Sequence, residues 1–262
     1  MNKNKKISEY TIKELREICQ ACHLTPEKKK DDNKVGIFSL NFSIYFTRLF
    51  LCTSITPNQI TFLSVVVFFT GIFLLTFNSY ILNIVGSLVI FFSIVLDGCD
   101  GEVARFRKFI GNPIKGNVGG LYAEPVSHDV QYGLAFLIIA HGLIIHGFPP
   151  YYYILGALAG ITKLLFRLLQ SRFCVILGIS NVSREESIDM HKSLKKKSIF
   201  IKMMYRINKT FFNNSGVFII IFACSIINRL DLSLWIFGLG YSFLWIALFG
   251  KQLYQINRLK QA

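Results

Sequence analysis

Residues 81–105 read ILNIVGSLVIFFSIVLDGCDGEVAR, an apolar run that passes directly into two aspartates, a glutamate and an arginine. No charge stands between Ile81 and Leu96. A bilayer core takes roughly 20 apolar residues as one helix, so the run reads as a membrane span with the acidic cluster at its end. Ionisable groups at membrane depth are costly and usually functional. Asp97 and Asp100 are three apart and share a helical face, and Gly101, Ala104 and Arg105 continue near it.

The rest of the chain supports a membrane setting. Its 262 residues suffice for one large domain, 52% are apolar, 25 are Phe, and the formal net charge is +14. A soluble nucleic-acid binder could carry that charge, but not several apolar runs of membrane length. Six spans are expected: about 58–77, 81–96, 121–146, 151–173, 212–227 and 232–254. Before them, 37–52 (IFSLNFSIYFTRLFLC) reads as a helix lying in the interface, because Thr56-Pro57 breaks a continuous helix. Residues 1–36 read as a polar tail carrying one short amphipathic helix (Ile12, Leu15, Cys19, Cys22), and residues 37–262 as the membrane domain. The start lacks a secretory signal pattern. The expected fold is an all-α membrane protein, a six-transmembrane-helix bundle with an N-terminal interfacial amphipathic helix.

Basic residues set the orientation. With the N-terminus inside, every Lys and Arg except Arg229 falls in an inside segment or at an inner helix end. Both termini and the 97–119 segment are therefore expected on the cytoplasmic side of the cell membrane. Away from termini and loops, the acids are Asp97, Asp100, Glu102, Glu124 and Asp129, all at the junction of the second and third spans.

Hard carboxylate oxygens suit Mg²⁺ or Mn²⁺, which usually bridge a substrate phosphate. Arg105 offers a planar fork of donors for phosphate oxygens. Gly120, Glu124 and His128 recur every four residues on one face of the third span, which can converge on the first cluster. These residue types point to divalent-metal-assisted phosphoryl chemistry on an anionic substrate.

Asp97, Asp100, Gly101, Ala104 and Arg105 reproduce D-x2-D-G-x2-A-R, and the segment 97–105 resembles the signature of the CDP-alcohol phosphotransferase family. Ser54-Ile-Thr-Pro-Asn-Gln-Ile-Thr61 is similar to that family's entry to its first membrane helix, and the six-span layout agrees over about 40–255. The second half of the signature departs. Fourteen residues, 106–119, separate Arg105 from Gly120 where the family has about eight, and Glu124 and His128 stand where it has aspartates.

The resemblance implies a transferase that moves a substituted phosphate from a CDP-alcohol such as CDP-diacylglycerol to a hydroxyl acceptor, releasing CMP in phospholipid synthesis. It implies two divalent ions held by Asp97, Asp100, Glu124 and His128, and a homodimer. It also implies a nucleotide against Gly101, Ala104 and Arg105, with Asn58 and Thr61 at its cytidine end. Either His128 or the adjacent Asp129 is then the general base, since an imidazole accepts a proton near neutral pH. Two rivals stand beside this reading. One is synthesis of a polar-lipid or surface-glycan precursor from a CDP-polyol. The other is a non-catalytic homologue that lost the base.

Other signals are weaker. Lys163 and Arg167, one turn apart in the fourth span, fit a pocket for an acceptor's phosphate, while Arg172 fits a residue reaching to the interface. Cys19-Gln-Ala-Cys22-His23 matches a haem-attachment string, but on the side of the membrane where that attachment does not occur. His141 and His146 lie too far along their span to join the metal site. Lys192–Lys197 reads as a topology signal that attracts anionic headgroups, within a stretch 184–209 expected as a surface helix. No folded module surrounds it, so no nucleic-acid partner is expected.

Overall fold

The structure, a computed structural model, describes residues 7–21, 34–111, 118–179, 207–208 and 210–259. The expected helix over 184–209 and the Lys192–Lys197 run fall almost wholly outside these residues, as do Cys22 and His23. Among the described residues there are helices and no strands. In chain order the helices are α1 (Ile12–Cys19), α2 (Lys34–Leu51), α3 (Pro57–Leu75), α4 (Tyr80–Phe109), α5 (Val118–Ile145), α6 (Tyr152–Ile179), α7 (Asn214–Ile226) and α8 (Asp231–Leu259).

Local chemistry starts two of them. Thr11 and Thr56 each cap a helix with the Glu or Gln three residues on, and Pro57 fills the first position of α3, where a missing N–H costs nothing. At 30 residues α4 is about 45 Å long. That exceeds a hydrocarbon core of about 30 Å, so one continuous helix carries both the span and the motif beyond it.

Among the described residues five helices (α3, α4, α5, α6 and α8) are long and apolar enough to cross a membrane, which makes this a multi-pass membrane protein. The fifth expected span differs. α7 has 13 residues, about 20 Å of helix, because Asn213 caps it late with its side chain on the Gly216 N–H at 2.7 Å. Small residues let neighbouring helices touch. A Cβ on Gly71 of α3 would stand 2.8 Å from the Gly86 carbonyl of α4, and one on Gly160 of α6 would stand 2.6 Å from the Gly133 carbonyl of α5.

Two cores result. One joins α3 through α8 around Phe68, Phe136, Phe237 and Tyr241. The second lies at the motif end and joins Tyr10, Leu15 and Cys19 to Ile44, Ile60, Leu96, Val103 and Phe106. The polar N-terminal segment thus packs against the motif helix. α2 turns Ser39, Ser43 and Thr47 inward and leaves Phe38, Phe42, Tyr45 and Leu49 exposed, an arrangement suited to lipid outside and a polar partner inside.

Candidate active site at the motif end of α4 and α5

The motif divides around α4. Asp97, Asp100, Gly101 and Ala104 share one side, while Cys99, Glu102, Val103 and Phe106 are buried on another, because successive residues turn by about 100°.

On the first side α4 packs against α3, which also carries α5, and a side chain of α5 reaches across to α4. Thr61 on α3 donates its hydroxyl to Asp100 Oδ2, and the Gly101 N–H faces Asp100 Oδ1. His128 on α5 brings Nε2 to 3.5 Å from Asp97 Oδ2. Its Nδ1 lies 3.2 Å from Gln131 Oε1, and its ring stacks with Tyr132. Glu124, one turn before His128 on the same helix, is exposed. Asn58 is exposed on the first turn of α3. Gly120 lies in the first turn of α5. Arg107 ties this end of α4 to the approach to α3 through the Ile55 carbonyl.

Asp129 points elsewhere. It pairs with Arg167 of α6, which also donates to the Pro125 carbonyl at 3.2 Å. Lys163 is buried, donates to the Phe212 carbonyl at 3.0 Å, and lies over the rings of Tyr132 and Tyr241 at 5.2 and 4.7 Å. Tyr241 donates to the same carbonyl. Lys163 and Arg167 therefore already have protein partners. Arg172 is exposed, and His141 is 2.7 Å from the Tyr153 hydroxyl, one helix-length from the motif.

The donor set agrees in kind with a divalent ion. Among the described residues no Lys or Arg comes within ion-pair distance of Asp97 or Asp100, so two largely enclosed carboxylates lack positive charge. No three His, Cys, Asp or Glu side chains among them converge on one point. The residues fit the chemistry of such an ion without forming a finished cage.

Glu102 is the residue that motif reading left unassigned. It is fully buried and accepts from Gln20 Nε2 at 2.8 Å, Ser43 Oγ at 2.6 Å and Thr47 Oγ1 at 2.6 Å. The stripe Ser39, Ser43, Thr47 at four-residue spacing was the available signal. Nearby, burial and then the charge of Glu102 push the Cys19 thiol up to about 12. That keeps it protonated and unreactive.

The family model for CDP-alcohol phosphatidyltransferase matches residues 54–237, and the chain belongs to that family. It is a membrane phosphotransferase of phospholipid synthesis. Family members generally depend on divalent metals. A search of curated proteins finds none that matches the chain.

Proposed function

We propose that the chain transfers a substituted phosphate from a CDP-alcohol, such as CDP-diacylglycerol, to a hydroxyl acceptor with release of CMP. The observation that carries this reading is the approach of His128 to Asp97, beside Asp100, where among the described residues no Lys or Arg pairs with either carboxylate. Asp97, Asp100 and Glu124 are the residues to hold Mg²⁺ or Mn²⁺, and the one basic nitrogen of His128 is kept for the acceptor's proton. Such ions, when bound, neutralise the diphosphate and the departing phosphate.

The chain's own groups do the rest. Arg105 binds diphosphate oxygens through its terminal nitrogens. Gly101 and Ala104 leave space beside α4 for the nucleotide, with Asn58 and Thr61 at its cytidine end. As the acceptor oxygen bonds to phosphorus, the bond to CMP breaks and the hydroxyl proton must leave. A ring nitrogen of His128 takes it. His128 is preferred to Asp129 because Arg167 engages Asp129 on the α6 side. Lys163 and Arg167 remain the candidates for an acceptor's phosphate, which would exchange with the Phe212 carbonyl and Asp129.

By charge distribution the site and both termini face the cytoplasm at the cell membrane. By family resemblance the protein is a homodimer.

The test is CMP release by purified protein with Mg²⁺ or Mn²⁺. Donors are CDP-diacylglycerol and soluble CDP-polyols; acceptors are serine, glycerol phosphate and inositol phosphate. CMP from a lipid donor supports the reading, and CMP only from a CDP-polyol supports the glycan-precursor rival. No CMP from any pair favours a non-catalytic homologue, the reading suggested by His128 standing where the family carries aspartate.

A further inference from the structure

Glu102, on the side of α4 away from the carboxylate face, and Arg105, through its Nε, grip the same point of the N-terminal segment. Glu102 takes the Gln20 side-chain amide, whose Nε2 also donates to the Leu40 carbonyl of α2 at 2.8 Å. Arg105 donates Nε to the carbonyl of Cys19, the residue before Gln20. Gln20 is the C-terminal capping residue of α1 and is itself buried. The last turn of α1 is therefore held between two motif residues of α4 and the backbone of α2.

The consequence falls on the guanidinium. With Nε committed to Cys19, Nη1 lies 3.0 Å from where a Cβ on Gly101 would stand, so the group lies over the glycine of the motif. Neither terminal nitrogen of Arg105 has a hydrogen bond or ion pair among the described residues. An arginine fixed in advance loses less rotamer freedom when its ligand arrives.

We propose that Gln20 and Glu102 are positioning residues that hold the Cys19 carbonyl against Arg105 Nε, leaving both terminal nitrogens of Arg105 for the diphosphate of a cytidine nucleotide. The proposal rests on the reading above in which Arg105 binds phosphate. It assigns a function in the nucleotide site to the segment before residue 36, which lies outside the matched family region. A purely structural clamp would stabilise the bundle without acting through Arg105.

The experiment is calorimetric titration of the full-length protein in nanodiscs with CDP in the presence of Mn²⁺. Wild type binds, and Arg105→Ala weakens binding. Gln20→Ala and Glu102→Gln each weaken it about tenfold, the effect of losing one well-placed hydrogen bond to a charged group. In the Arg105→Ala background, Gln20→Ala has no further effect on CDP affinity. Ser87→Ala, which removes a bond to Ser225 in the middle of the bundle, lowers the melting temperature and leaves CDP affinity unchanged.

If Gln20→Ala and Glu102→Gln bind CDP as wild type does while Arg105→Ala is weakened, the positioning role is wrong and the phosphate role stands. Additive losses in the double variant also overturn the positioning role. If wild type does not bind CDP, or Arg105→Ala binds it as tightly, both the phosphate role and the positioning role fall.

Discussion

Replacing the two adjacent candidate bases separately should give unequal losses. His128 has a side chain only 12% exposed, with Nε2 3.5 Å from Asp97, so it sits where the reacting hydroxyl would meet the carboxylate face. Removing a general base costs about 10²- to 10⁴-fold in rate, or about 3–5 kcal/mol of barrier. His128→Ala is therefore expected to lower kcat by at least about a hundredfold.

Asp129 belongs to a different contact. Its side chain is 43% exposed and that of Arg167 is 24% exposed, so solvent screens the pair, and pairs of this kind stabilise by about 0.2–1 kcal/mol. Asp129→Asn should lower the melting temperature slightly and leave kcat within about fivefold of wild type. The assay is CMP release on an active donor–acceptor pair, with melting followed in the same detergent. If Asp129→Asn loses a hundredfold while His128→Ala keeps its rate, the assignment from geometry is refuted. His128→Asp, which restores the family's residue, should retain more activity than His128→Ala.

Three further outcomes are expected. Gly71→Ala places a methyl 2.7 Å from the Ile90 side chain and 2.8 Å from the Gly86 carbonyl. It should destabilise the protein by about 1–3 kcal/mol, read as a lower melting temperature; an unchanged melt would mean α3 and α4 do not meet there. Cys19, with its thiol pushed up to about 12, should expose about one thiolate in 10⁴ at pH 8, and burial should block maleimide further, whereas exposed Cys52 should label readily. Because the shift is upward, labelling of Cys19 should stay low across pH 7–9 and appear only on unfolding, as peptide mass spectrometry can check. EDTA should abolish CMP release and added Mn²⁺ should restore it, while Asp100→Asn should raise the Mn²⁺ concentration needed; metal-independent release would remove the ion from the reading.

Much of the architecture was legible because its causes are local. Thr56-Pro57-x-Gln59 announces the start of α3, and the absence of charge from Ile81 to Leu96 announces a span. The start of α7 was not legible to the residue, because Phe211 and Phe212 continue the apolar run and the Asn213 cap sets the first turn at 214. Asp97 and Asp100 could be placed on one face from spacing alone. Their partners, Thr61 and His128, lie 39 and 31 positions away in the chain and meet them only through helix packing.

By itself the sequence determined that this is a basic, all-α membrane protein with five acids, Asp97, Asp100, Glu102, Glu124 and Asp129, at one junction, and that residues 97–105 reproduce the first half of the family's signature. Those features follow from residue type and helical period, which need no knowledge of neighbours. Only the tertiary structure decided that His128 faces Asp97 while Asp129 faces Arg167. Neighbouring residues on a helix point about 100° apart, so the choice between them depends on how α5 is rotated against α4 and α6. The same packing turned Glu102 from one more acid in a cluster into the group that holds α1 against the motif, because a buried carboxylate must find its donors wherever the fold brings them.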